Sequence, residues 1–176
     1  MNTPLSRLAA VSVLLLLGAC QSLRPPLETV AHVDLPRFMG DWYVIASIPT
    51  VIERDAYAAV ESYRLDADGT IDTTFTYRKG SFDGPRKRYN PRGFVFDRQS
   101  NATWGMRFVW PIKADYRIAY LSDDYSRTII ARQARDYVWI MARTPTLAPS
   151  EYGQLVQRVA QLGYDTGKLR QVPQRP

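Results

Sequence analysis

From Trp42 to Arg143 the chain falls into short runs rich in Val, Ile, Thr, Tyr, Phe and Trp, separated at close spacing by turn residues. Within a run, apolar and polar positions tend to alternate, as in strands with one face inward and one outward. The runs are Trp42 to Ile48, Ala58 to Leu65, Thr70 to Arg78, Gly93 to Arg98, Thr103 to Val109, Tyr116 to Leu121, Arg127 to Gln133 and Tyr137 to Arg143. Asp66, Ala67, Asp68 and Gly69 join the second to the third, with glycine where a positive φ costs little, so these two form a hairpin. The pattern predicts an antiparallel β barrel or sandwich of eight strands.

Alternation assigns faces. In the third run Ile71, Thr73, Phe75 and Tyr77 share the inner side, and the same rule turns Trp104, Met106 and Phe108 inward. It does so too for Tyr116, Ile118 and Tyr120, for Ile129 and Ala131, and for Tyr137, Trp139 and Met141. In the second run the tyrosine face matches the hairpin partner's inner set, which brings Glu61 inside beside Tyr63. A buried carboxylate is expensive unless paired. Its candidate partners are a choline or ethanolamine head group, or Arg107 or Arg117; a face shifted by one residue would put Glu61 outside. One helix follows, with Ser150 as N-cap, Tyr152, Leu155, Val156, Val159 and Leu162 on one face, and Gly163 as its stop. That stripe is expected to dock on the outside of the barrel, and Lys168 to Val172 to add a short edge strand. No internal repeat or second domain is visible.

The N-terminus has a different pattern. After Arg7 the chain is uncharged from Leu8 to Ala19, a secretory signal. A helix of that length rises about 18 Å, short of the roughly 30 Å hydrocarbon core. Leu17, Gly18, Ala19 and Cys20 resemble the lipobox of bacterial lipoprotein signals, which implies cleavage before Cys20 and acylation of its thiol. The alternative is an ordinary signal peptide with an incidental or buried cysteine. The expected organisation is residues 1–19 as lipoprotein signal peptide, 20–32 as lipidated N-terminus and tether containing Pro25 and Pro26, and 33–176 as the barrel domain with its helix. Gln21, where an aspartate would signal retention in the inner membrane, implies the outer membrane, lipid-anchored on its periplasmic side.

Composition narrows the chemistry. With 45% hydrophobic and 23% charged residues the 176-residue chain is an ordinary globular protein. Cys20 is the only cysteine and His32 the only histidine, which excludes an internal disulfide or a thiolate metal site and removes most His-based catalysis. No catalytic residue, metal or cofactor is assigned; Asp66 and Asp68 are explained by their turn. The net charge of +6 favours anionic surfaces. Arg86, Lys87, Arg88 and Arg92 crowd the connection around the fourth run, as a solvated face or as a positive rim for lipid phosphate. Nucleic acid is not an expected partner, since no groove-reading motif accompanies the charge.

Three motifs carry a family resemblance. Gly40, Asp41 and Trp42 form a GxW before the first run, Asp123, Asp124 and Tyr125 sit between the sixth and seventh, and Arg143 closes the eighth ahead of Thr144 and Pro145. Over about residues 33–172 this order resembles the lipocalin family, in particular its bacterial outer-membrane lipoprotein branch. The middle motif departs from the family's TDY, with Asp123 in place of threonine. The resemblance implies an all-β, eight-stranded up-and-down barrel with one C-terminal helix outside, and structural roles for Gly40, Trp42, Asp124, Tyr125 and Arg143, the arginine packing over the tryptophan ring at the barrel floor. It further implies carriage of a fatty acid or lysophospholipid. The ligand-facing candidates are Glu61, Tyr63, Thr73, Phe75, Trp104, Met106, Phe108, Tyr116, Ile118, Tyr137 and Trp139. An aromatic interior suits an acyl chain, which gains about 0.8 kcal/mol per buried CH₂; the same side chains would equally fill the barrel as a core. Lipocalin isomerases need a barrel cysteine, absent here, so an enzyme is not expected. The rival function is a structural or stress-related envelope lipoprotein, and the sequence leaves a homodimer open.

Overall fold

The computed structural model describes residues 25–175. A short helix α1 (Leu35–Phe38) precedes nine strands: β1 (Gly40–Ile48), β2 (Ala56–Leu65), β3 (Thr70–Lys79), β4 (Arg86–Tyr89), β5 (Arg92–Val95), β6 (Thr103–Val109), β7 (Ile112–Leu121), β8 (Arg127–Ala131) and β9 (Val138–Ala142). Helix α2 (Pro149–Gln161), a 3₁₀ turn (Thr166–Lys168) and a two-residue strand β10 (Arg170–Gln171) follow. Neighbouring strands pair antiparallel, and β9 returns to β1, so the sheet closes on itself. The result is an eight-position up-and-down barrel, with β4 and β5 sharing one position beside β3 and β10 added to the edge of β1.

Arg86–Tyr89 was expected as a connection and is a strand. Its three charged side chains hide the alternation, and Asn90 with Pro91 breaks the ladder before β5, because proline has no N–H to donate. Arg92 does not belong to a rim: it reaches Asp66 at 2.7 Å, in the hairpin turn at the closed end. The fourth run ends at Val95 rather than Arg98, β7 begins four residues early at Ile112, β8 stops at Ala131 and β9 starts at Val138.

The interior holds Tyr63, Ile71, Phe75, Tyr77, Trp104, Met106, Tyr116, Ile118 and Met141, as alternation predicts, together with Val44 of β1. Three inward assignments are wrong. Tyr120, Ile129 and Ala131 pack on the outer face beneath α2, with Leu155 and Val159, while Thr128 and Ile130 turn away from it and Ile130 joins the interior. A register shift between Ile118 and Tyr120 inserts an extra residue in β7 and flips the later part of that strand, which puts Tyr120 outside; β8 itself alternates without a break. Both faces of β8 are apolar because the barrel lies on one side and the helix on the other, so alternation carries no signal there. The helix begins earlier than expected: Ala148 is the N-cap, Pro149 opens the first turn, and the Glu151 carboxylate accepts from the Ala148 N–H at 3.2 Å. Ser150 is therefore inside the helix. Gly163 does end it, at φ +89°.

One end of the barrel is sealed. The Trp42 ring is fully buried and donates from Nε1 to the Phe38 carbonyl at 2.9 Å. The Arg143 guanidinium lies 3.8 Å from the Trp42 ring centroid, and its Nη atoms donate to the carbonyls of Arg37, Phe38, Met39 and Asp41 at 2.8–3.0 Å. Gly40 makes the junction at φ +93°, a conformation any side chain would strain. Tyr125 supports the same end: its hydroxyl accepts from the Asp34 N–H at 2.9 Å, and Asp124 accepts from the hydroxyls of Ser122 and Ser126. Trp42→Ala is expected to cost about 3–5 kcal/mol in urea unfolding. A double-mutant cycle with Arg143→Ala should return a favourable coupling of about 0.5–2 kcal/mol, and strict additivity would show that the stacked contact contributes nothing.

Candidate functional site

The opposite end is open. The β1–β2, β3–β4, β6–β7 and β8–β9 connections surround it, and a cavity of about 360 Å³ runs inward from them. Its wall is formed by Thr50, Val51, Ile52 and Glu53 from the β1–β2 loop, Glu61 from β2, Met106 and Phe108 from β6, Ala114, Asp115 and Tyr116 from β7, Arg132, Tyr137 and Trp139. The volume lies at the lower end of the roughly 300–1,000 Å³ typical of small-molecule sites.

Six of the eleven ligand-facing candidates meet at this cavity: Glu61, Met106, Phe108, Tyr116, Tyr137 and Trp139. The other five, Tyr63, Thr73, Phe75, Trp104 and Ile118, are buried but do not line it. Tyr63 and Trp104 join Phe38 in an aromatic cluster over the sealed end, with Trp104 edge-to-face to the other two rings, and Trp104 stacks on Tyr116 at 5.3 Å. The interior is thus part core and part cavity. Phe108, read as an inner residue, is half exposed at the mouth, where β6 shifts register between Met106 and Val109. The loop residues Thr50 to Glu53 were missed because strand periodicity does not reach them; the apolar pair Val51 and Ile52 in a polar connection was the available signal.

Glu61 is the one acid deep in the wall, 9% exposed. Neither Arg107 nor Arg117 pairs with it: Arg107 lies over the Phe94 ring and Arg117 binds Asp115 at 3.0 Å. Instead the Tyr63 hydroxyl donates to the Glu61 carboxylate, and the Tyr116 hydroxyl stands 2.5 Å from that of Tyr63. Burial pushes the Glu61 carboxyl up to about 7, with the Tyr63 hydrogen bond pulling the other way and the charge of Glu53 adding to the rise. Burial also holds both tyrosine hydroxyls well above their usual range. Nearer the mouth Glu53 accepts from Thr50 and from Trp139 Nε1 at 3.1 Å, which ties the loop to the wall.

A family model described as a lipocalin-like domain matches residues 33–174. The chain belongs to the lipocalin family. Curated lipocalin relatives include temperature-induced lipocalin-1 of Arabidopsis thaliana, 29% identical over 84% of this chain and 83% of that protein. Outer membrane lipoprotein Blc of Citrobacter freundii is 28% identical over 94% of both chains, and Blc of Escherichia coli K12 26% over the same shares. These near full-length matches place the lipocalin in the bacterial Blc branch. Among solved lipocalin structures, insecticyanin of Manduca sexta superposes with a TM-score of 0.65 at 15% identity, covering 86% of each chain. Lipocalins are in general carriers of small hydrophobic ligands, and the apolar cavity fits that role.

The raised Glu61 pKa makes the stability of the fold depend on pH. The native carboxyl keeps its proton up to about 7, whereas a free one releases it near 4.5, so this group favours the fold most below 4.5 and loses that contribution as pH rises to about 7. Urea midpoints of the wild type should therefore fall across this window relative to those of Glu61→Gln, which cannot ionise. Parallel profiles would show that Glu61 titrates normally.

Proposed function

We propose that the protein takes up a single-chain lipid, a fatty acid or lysophospholipid, in the barrel cavity and carries it at the bacterial outer membrane, to which an acylated Cys20 anchors it on the periplasmic side. The observation that carries the ligand reading is the cavity itself: open at one end, walled by Val51, Ile52, Met106, Phe108, Tyr137 and Trp139, and stopped by the Trp104 and Tyr116 stack before the sealed floor. Its size accommodates one slender apolar chain, whose burial stabilises the complex by about 0.8 kcal/mol per CH₂. The chain enters first and the head group stays at the mouth, beside Arg132, which lines the wall while its Nε lies 3.5 Å from Asp136.

Glu61 lies at the inner end, already bound by Tyr63, so it meets the acyl chain rather than a cationic head group. Protonated, it is a tolerable neighbour for hydrocarbon; ionised, it is not. Cys20 and the signal segment lie outside the described residues. Support for the anchor comes from the lipobox and from the outer-membrane lipoproteins that match nearly the whole chain.

Binding of lysophosphatidylcholine or palmitate should change the fluorescence of Trp139, which lines the cavity, and Trp139→Phe should remove most of that change. Affinity for both ligands should fall as pH rises through about 7, and Glu61→Gln should flatten both profiles. A substitution that weakens only the choline lipid would assign Glu61 to the head group instead. An empty protein after extraction with organic solvent, together with no fluorescence response, would refute the carrier reading.

The anchor is tested separately. Cys20→Ser should abolish cleavage at residue 20 and leave the precursor out of the outer membrane; a normally cleaved variant in the outer membrane would refute lipidation.

A further inference from the structure

We propose that the open end of the barrel is itself a membrane-binding surface, and that the protein stands mouth-down on an anionic bilayer. The inference rests on the anchored-carrier reading above and adds an orientation and a contact surface to it. Two features of the molecule support it independently.

The first is the rim. Val51, Val109, Trp110 and Ile112 are 68–79% exposed, and Ile52 and Phe108 are 43% and 51% exposed. They come from two connections, β1–β2 and β6–β7, that meet at the cavity entrance, where Val51, Ile52 and Phe108 also form its wall. Large apolar side chains clustered this way mark a contact surface rather than ordinary solvent exposure. Trp110 stands at the tip of the β6–β7 hairpin; a tryptophan there suits the bilayer interface, where its ring is buried and its N–H stays wet. Charge surrounds the apolar rim. Segments 49–55, 78–88, 108–114 and 132–137, which form the open end, hold nine Lys and Arg against four Asp and Glu, so nearly all of the chain's net +6 is concentrated there. A basic collar around an apolar rim is complementary to anionic head groups over hydrocarbon.

The second is the path of the N-terminal segment. From Val33, whose N–H is bound to the Ser100 carbonyl near the sealed end, it runs back along the outside of the barrel. The Val30 N–H donates to the Ile118 carbonyl, the Leu27 N–H to Gln133 Oε1 at 2.8 Å, and the Pro25 carbonyl accepts from Arg135 at 2.9 Å. Gln133 and Arg135 belong to the β8–β9 loop at the open end. Read from sequence alone residues 25–32 are a free tether, but here they are fastened to the barrel wall. Only four residues separate Pro25 from Cys20, five Cα–Cα steps with a reach of at most about 17 Å. A ten-residue strand such as β2 spans about 33 Å, roughly 25 Å along the axis of a barrel with strands tilted by about 40°. A lipid on Cys20 therefore holds the mouth, and not the sealed floor, against the membrane. A ligand could then pass between bilayer and cavity along apolar side chains without crossing water.

The full chain, purified from membranes and reconstituted into vesicles of phosphatidylethanolamine and phosphatidylglycerol with brominated acyl chains, tests this. A Trp139→Phe background removes the tryptophan that lines the cavity, Trp42 is fully buried at the sealed end, and quenching of Trp104 by lipid inside the cavity is subtracted with the same background carrying Trp110→Phe. The expected result is strong quenching, most of which Trp110→Phe removes. Mass analysis of the Cys20 peptide and lipid uptake by the same preparation read out the underlying function separately. Acylated, lipid-loaded protein with unquenched Trp110 would overturn the orientation while leaving the carrier intact. If Cys20 proves unmodified, sedimentation with the same vesicles decides: binding lost on Val109→Ser with Trp110→Ser, or on omission of phosphatidylglycerol, supports the surface, and no binding overturns it. A dimer that shields Trp110 from an aqueous quencher would also overturn it, by assigning the rim to a second copy.

Discussion

The guanidinium of Arg143 is the contact on which the barrel's polarity depends. An eight-position barrel has two ends, and each must either be filled or remain accessible to solvent. Here one planar cation covers the Trp42 ring and gathers carbonyls from Arg37 to Asp41, the stretch where α1 turns into β1. Those carbonyls lie at a helix end and a strand start, where no ladder partner satisfies them. Arginine suits the place better than lysine because its donors form a rigid fork and its face stacks on an aromatic ring. With that end closed, Phe38, Tyr63 and Trp104 pack down onto it, and the space that remains lies toward the other end.

The limit of the packed region is set by Tyr116. Its ring stacks on Trp104, and its hydroxyl meets Tyr63, which in turn binds Glu61. Three polar groups are thus carried into an apolar wall, each satisfied by the next, so the cost of burying them is borne together. The short chain of hydroxyls explains why Glu61 needs no arginine. It also explains why a carboxyl can adjoin a cavity for hydrocarbon: with its pKa pushed up to about 7 by burial, it presents a proton rather than a charge below neutral pH.

The sequence made the fold legible wherever one face of a strand met solvent. β3 shows it best, with Ile71, Thr73, Phe75 and Tyr77 buried and Asp72, Thr74 and Thr76 turned out, because nothing covers that side of the barrel. β8 was misread for the opposite reason, its outer face being covered by α2. Register shifts at Ile118 and at Met106 added errors that period two cannot anticipate, since each bulge moves every later side chain to the other face. The site was half legible on the same grounds. Strand residues such as Glu61, Met106 and Trp139 could be placed by alternation, but how far the packing rises from the floor depends on ring contacts between distant strands. Arg132 fell in a run whose alternation, read with Ile129 and Ala131 inward, turned it outward, and the loop from Thr50 to Glu53 has no periodicity to read.

These misread places also show how the molecule divides its surface. Apart from Phe96, which is exposed on the outer face beside Lys113, the apolar residues outside the barrel interior fall into two groups with different fates. Tyr120, Ile129 and Ala131 are covered by α2, so their exposure is resolved within the chain. Val51, Val109, Trp110 and Ile112 have no such cover among the described residues and lie around the mouth of the cavity, at the end where positive charge collects. A lipid carrier faces a kinetic problem that affinity alone does not solve, because a free acyl chain crossing water would forfeit the burial that drives its binding. On the proposed reading the rim removes that step by giving the chain apolar contact throughout its transfer. The anchor then serves to hold the mouth at the membrane, and the contact of Pro25 with Arg135 becomes part of the transport device rather than a detail of how the N-terminus lies.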